Sequence, residues 1–213
     1  MSASNVVQLM PRSIDFLAVK TPQPEQLVRK PNSELRTREY LTEAEVEALI
    51  AAAKSNRHGH RNALMILLAY RHGLRASELV GLRWEQVDFK GSRIHIRRVK
   101  SSDDATHPLT GKELRALRQQ QRDNSNSPYV FISERGTPFN PISFSQMVDK
   151  VGKKAGLEIK CHAHMLRHAC GFHLANSGQD TRAIQAYLGH RNIQNTTIYT
   201  QLASNRFNGF FQD

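Results

Sequence analysis

Cysteine is scarce in this 213-residue chain, which has only Cys161 and Cys170. Two cysteines do not make a disulfide framework. Nine positions apart on one helix they would also lie about 13 Å from each other at 1.5 Å of rise per residue, too far to bridge. Free thiols in or near the core are expected instead. Long apolar runs are missing as well. The longest, ALMILLAY over 63–70, is far short of the roughly 18 residues needed to cross a bilayer, so no membrane span is predicted. Pro11, Arg12 and Asp15 interrupt the stretch where an export signal would be continuously apolar, and the expected compartment is the cytoplasm. Acidic residues are also short: 19 Asp and Glu face 30 Lys and Arg, giving a formal charge of +11. Such an excess points to a polyanionic partner such as nucleic acid, with a merely basic soluble protein as the plain alternative.

The length suits one well-buried domain with some chain to spare. Residues 1–38 hold four of the eight prolines, one aromatic residue (Phe16), and six basic against three acidic side chains. That composition reads as an extended arm. The folded part is predicted to begin near LTEAEVEALIAAAK, where Thr42 and Glu45 have capping-box spacing and Val46, Leu49, Ile50 and Ala53 recur at helical intervals. HRNALMILLAYRHG predicts a central helix stopped at Gly73, and RASELVGL a short one. The period then changes. Arg93-Ile94-His95-Ile96-Arg97 alternates as a half-buried strand, followed by an SSDDA turn and a THPLT return strand. The alternation slips at Arg97-Arg98, leaving the face of Lys100 undecided. Helical patterns resume at GKELRALRQQQ, then a short strand YVFIS, then helices over about 141–155, 163–177, 180–188 and 194–202. The predicted class is α+β, mainly α-helical, with a small antiparallel three-stranded sheet at its edge.

CHAHMLRHACGFH, residues 161–173, gathers both cysteines and four of the ten histidines. His164 and His168 stand four apart on one helical face, as zinc-binding histidines do. A metalloprotease helix would need Glu after the first histidine, and Met165 stands there. No second Cys/His pair has finger-like spacing, so no metal is expected. The histidines could simply be packed or exposed. A different use pairs His164 with Arg167: guanidinium grips two phosphate oxygens and imidazole adds a further donor.

YRHGLRASELVGLRW, HMLRHACGFHLANSGQDTRAIQ and AYLGHRNIQNTTIYT, in that order, resemble the tyrosine recombinase (phage integrase) family over roughly residues 39–203. The run HMLRHACGFHLANSGQDTRAIQAYLGHRNI is especially similar to the short members that invert fimbrial promoter DNA. The resemblance implies a recombinase catalytic domain at 39–203, between the arm and a C-terminal tail at 204–213. It assigns Arg75 and Arg167 as catalytic arginines, His164 and His190 as catalytic histidines, and Tyr199 as nucleophile. Lys100, eight residues before Pro108, fits the hairpin lysine. Most members precede this domain with a helical core-binding domain. Here the Pro-rich arm stands in that place, as in the short inverters, so site selection would rest on fewer contacts or on accessory DNA-bending proteins.

The implied reaction is a transesterification at a DNA phosphodiester. Tyr199 attacks phosphorus, a 3′-phosphotyrosyl bond forms, and a 5′-hydroxyl leaves. The bond energy stays in the protein–DNA linkage, so no cofactor is required. Arg75 and Arg167 would clamp the nonbridging oxygens as charge builds there, with His164 and His190 adding hydrogen bonds. Tyrosine ordinarily titrates near 10 and needs a base or a positive field; His164 is the candidate base. Lys100 would protonate the leaving oxygen. Glu78 would orient Arg75, or else form an ordinary exposed i, i+3 ion pair.

His162, His168 and His173 are read as structural, and Trp84 as core filling. Arg93, Arg97, Arg98, Lys153 and Lys154 are candidate phosphate contacts or a solvated basic face. The tail carries Phe207, Phe210 and Phe211 at helical spacing. By the resemblance it docks into a neighbour within a homotetramer on synapsed DNA, with a monomer expected without DNA; packing on its own domain is the alternative. The predicted partner is double-stranded DNA with specific recombination sites. The competing function is a DNA-binding regulator that keeps the fold without turnover. Such a protein has no use for Tyr199.

Overall fold

The computed structural model describes residues 38–98, 103–124, 126–201 and 203. In chain order they form α1 (Glu43–Lys54), α2 (Gly59–Arg71), α3 (Ala76–Val80), a 3-10 turn at Trp84–Gln86, β1 (Val87–Asp88), β2 (Arg93–Ile96) and β3 (Ala105–Pro108). Then come α4 (Gly111–Asp123), α5 (Pro141–Lys154), α6 (Ala163–Asn176), α7 (Thr181–Leu188) and α8 (Gln194–Gln201).

The predicted capping box starts α1. The Glu45 backbone N–H donates to Thr42 Oγ1 at 3.3 Å, and Thr42 N–H donates to Glu45 Oε2 at 2.8 Å. Helix α2 is apolar on nearly every side, with Met65, Ile66, Leu68 and Ala69 fully buried, as a helix surrounded by others must be. It packs against α1, α4 and α6. Gly73 ends it with a left-handed φ of 57°. A β-carbon at Gly73 would also lie 2.3 Å from Leu188 Cδ2, so α7 closes down on this turn.

The sheet has the order β1-β2-β3, antiparallel throughout, with Ile94 opposite both Val87 and His107. Its alternation does not slip. Arg93, His95 and Arg97 are exposed, and Ile94, Ile96 and Arg98 are buried. YVFIS, by contrast, is not a strand. Tyr129 and Ile132 make only isolated bridges, to Arg83 and Pro138. The backbone between them bonds to irregular chain, Val130 N–H to Leu82 O and Phe139 N–H to Phe131 O, so no two successive pairs form a ladder. Its apolar character serves burial, since Val130 and Phe131 are fully enclosed.

Both cysteines are free thiols in the core. Trp84 is partly buried against it and stacks on Phe89. Among the described residues no helix is long and apolar enough to cross a membrane.

Candidate active site

Helix α6 presents one face made of His164, Arg167, His168, Gly171 and Phe172, residues three and four apart that stack along a helix. Helix α8 lies across this face and sets Tyr199 on it. The fit depends on Gly171: a β-carbon there would stand 2.6–2.7 Å from Cε2, Cδ2 and Cζ of the Tyr199 ring. Phe172 meets the same ring edge-on at 5.1 Å, and His190 lies nearly parallel to it at 6.2 Å. Tyr199 is thus 1% exposed. Burial pushes its hydroxyl up to about 12, against the pull of Arg167.

Arg167 is buried in the core. Its Nη1 donates to Gly73 O at 2.5 Å and its Nη2 to Leu188 O at 2.6 Å. One guanidinium therefore ties the ends of α2 and α7 to α6. Each terminal nitrogen keeps a second N–H beyond these bonds. Burial, then the like charges of Arg75 and Arg98, lower its pKa to about 10, so it remains a cation at neutral pH.

Glu78 is the counter-charge. It is buried, not the exposed half of a surface pair. It accepts from the Arg75 backbone N–H at 2.9 Å and from Arg75 Nη1 at 2.7 Å, so one carboxylate fixes both the start of α3 and its arginine. The same carboxylate accepts from Arg98 Nη1 at 2.9 Å and lies 4.0 Å from Arg167 Nη1. Burial works to raise its pKa, but the Arg75 amide and the guanidinium groups prevail and hold it below the ordinary range. Three arginines around one carboxylate leave the site with a net positive field.

Arg98 requires a correction: it is not a surface contact for phosphate. Its side chain is fully buried on Glu78, and its Nη2 donates to Tyr187 O at 2.5 Å. Gly189, left-handed at φ 63°, makes room for it, since a β-carbon there would lie 2.9 Å from Arg98 Nε. The remaining candidate contacts are exposed. Arg97 pairs with Glu85 at 3.0 Å, Lys153 with Asp149 at 3.0 Å, and Lys154 reaches Asn56 Oδ1 at 2.8 Å. Arg93 lies on the outward side of β2.

His190 follows the α7 cap, and its Nδ1 lies 2.8 Å from Thr196 Oγ1, which links it to α8. Burial, then Arg167 and Arg75, push its pKa down to about 3. His164 sits at the outer edge of the α6 face. Partial desolvation, then His168 and Arg167, bring it down to about 4. Both are neutral imidazoles at pH 7.

The structure therefore brings together Arg75, Glu78, His164, Arg167, His190 and Tyr199. Lys100 and the tail phenylalanines lie outside the described residues. Sequence reasoning did not foresee that His168, read as structural, would meet Tyr199. The His168 Nδ1 is 2.9 Å from the Tyr199 hydroxyl. Its place four after His164 and next to Arg167 was the available signal. Cys170 turns away, its Sγ facing Arg71 O at 3.7 Å. Among the described residues no three of His, Cys, Asp or Glu are grouped to hold a metal ion.

Residues 39–206 match the model of the phage integrase family. The chain is 42% identical over 187 residues to the type 1 fimbriae regulatory protein FimB of Escherichia coli K12, covering 85% of this chain and 94% of that one. It is 41% identical over 181 residues to FimE of the same strain, covering 82% and 91%. Among solved structures, that of XerA recombinase superposes with a TM-score of 0.70 at 31% identity, over 79% of this chain and 62% of the other.

Proposed function

This chain belongs to the phage integrase family, and from that premise we propose that it is a site-specific DNA recombinase working through a 3′-phosphotyrosyl intermediate formed on Tyr199. The observation that carries the proposal is the meeting of distant sequence stretches in one cluster. Arg75 and Glu78 come from the start of α3, His164 and Arg167 from α6, and His190 from the α7 cap; Glu78 holds Arg75 and lies 4.0 Å from Arg167, and Arg167 and His190 bear on Tyr199 of α8.

Attack of Tyr199 on a singly charged diester places further negative charge on the nonbridging oxygens. Arg75, held by Glu78, and Arg167, with its remaining N–H donors, form the preorganised cationic clamp such a transition state requires. Neutral His164 and His190 donate hydrogen bonds to the same oxygens. Lys100 protonates the 5′-oxygen as it leaves. The chemistry conserves bond energy and calls for no cofactor. The partner is double-stranded DNA at specific sites, engaged as a homotetramer on synapsed duplexes and as a monomer without DNA, with accessory DNA-bending proteins assisting. The basic exposed residues Arg93, Arg97, Lys153 and Lys154 supply phosphate contacts. A protein of this kind works in the cytoplasm.

The test is covalent capture. Wild-type protein is mixed with fragmented genomic DNA, denatured in detergent, and the attached DNA sequenced. A few discrete sequences are expected from wild type and none from Tyr199→Phe. Equal recovery from both would overturn the proposal, and binding without any adduct would favour the regulator that keeps the fold without turnover.

A further inference from the structure

Resting on that reading, we infer that His168, rather than His164, is the base that takes the phenolic proton of Tyr199. The geometry separates the two. His168 Nδ1 lies 2.9 Å from the Tyr199 oxygen, within the reach a general base needs. His164 instead meets the His168 ring edge-on at 4.6 Å. His168 is also held in place: its ring lies 5.9 Å from that of Tyr199 at an angle of 61°. A phenol has one proton to give, so with the imidazole proton on Nε2, Nδ1 accepts it.

The surrounding charges agree. The groups facing His168 are Glu39 from the segment ahead of α1, His162 at the N-cap of α6, His164 and Arg167 on α6 itself, His190 from the α7 cap, and Tyr199 from α8. Burial, Arg167 and His162 lower the proton affinity of His168, keeping it neutral and able to accept at pH 7. Glu39 works in the other direction and offsets the positive charge that appears when the proton arrives. Glu39 also lies 3.5 Å from His162 Nε2. His164 and His190, by contrast, are depressed to about 4 and about 3, which suits donors to phosphate better than acceptors of a proton.

The step balances. The Tyr199 Oη–P bond forms as the P–O5′ bond breaks, the phenolic proton passes to His168 Nδ1, and the 5′-oxygen takes a proton from Lys100 and leaves as a hydroxyl. Religation returns both protons. Transfer from a phenol near 12 to an imidazole below 6.5 is uphill in the resting protein, so it must accompany Oη–P bond formation.

The experiment is single-turnover cleavage of a nicked duplex carrying a sequence that wild type captures covalently, between pH 5.5 and 9. Wild-type rates should rise to a plateau by pH 7, as His168 loses its proton. His168→Gln, still binding the duplex, should lose on the order of a hundredfold at pH 7 and keep rising toward pH 9, because hydroxide must now remove the proton. His168→Ala should recover at least tenfold with added imidazole, a gain that no packing role produces. A rate for His168→Gln within threefold of wild type at pH 7 would overturn the inference. So would an equal loss at every pH with no gain from imidazole. If wild type forms no adduct, the recombinase reading fails first.

Discussion

Arg167 shows how much one side chain is asked to do at this site. It is 1% exposed, it bonds the carbonyls that end α2 and α7, and it remains charged next to Glu78. A lysine keeps the charge but has a single nitrogen, which cannot span Gly73 O and Leu188 O and also face a phosphate. Arg167→Lys should therefore cleave on the order of a hundredfold or more slowly, measured in single turnover on a captured site. Near-wild-type cleavage would remove Arg167 from the clamp. Residues of this kind were legible in the sequence because their motifs are ordered along the chain: GLRASEL, HMLRH, LGH, and a tyrosine nine positions on. His168 was not. A histidine that packs and a histidine that meets a phenol are written with the same letter, and only the approach of α8 to α6 distinguishes them.

Among elements, the α6–α8 contact sets the position of Tyr199, the proposed nucleophile, and Gly171 sets the contact. A methyl group there would overlap the Tyr199 ring, which Phe172 and His190 already confine. Gly171→Ala should cost about 1–3 kcal/mol in stability through overpacking and about a hundredfold in cleavage through misplacement of the phenol. Urea unfolding and adduct kinetics read the two effects separately, and unchanged kinetics would show that α8 tolerates the shift. The sheet teaches a related lesson. The strict alternation of β2 runs on through Arg98, but a charged residue at an inward position looks like a break in the pattern. Its burial is explained by partners from distant parts of the chain, the Glu78 carboxylate and the Tyr187 carbonyl, which a local period cannot reveal. YVFIS erred the other way, since a buried apolar run is consistent with a strand but does not supply a ladder partner.

Over the whole molecule, the neutral histidines make stability depend on pH. His107, 2% exposed and stacked on Tyr187 at 3.8 Å, is lowered to about 3, by burial first and then by His72 and Arg98. In the unfolded chain it titrates near 6.5. Below that value the unfolded state binds the proton and the folded state does not, so stability is fully present above about pH 6.5 and is lost as pH falls toward 3. His107 alone contributes a slope of up to ~1.4 kcal/mol per pH unit in that window. Glu113 adds to the fall from about 4.5 downward. Its burial would raise its pKa, but His72, with Nε2 3.2 Å from Oε1, and hydrogen bonds from Thr110 hold it at about 2. Unfolding free energies at pH 8, 7, 6 and 5 should be level over the first two and decline over the last two. A value unchanged from pH 7 to 5 would contradict the buried neutral assignment.

The proposed reaction joins Tyr199 covalently to DNA through a phosphate. The most direct measurement is to form the adduct with wild-type protein, digest both DNA and protein, and locate the modified peptide by mass spectrometry. A single peptide is expected, carrying a 3′-linked nucleotide phosphate on Tyr199 and absent from Tyr199→Phe. A nucleotide on Tyr187 or on any other side chain, or an adduct that persists in Tyr199→Phe, would contradict it.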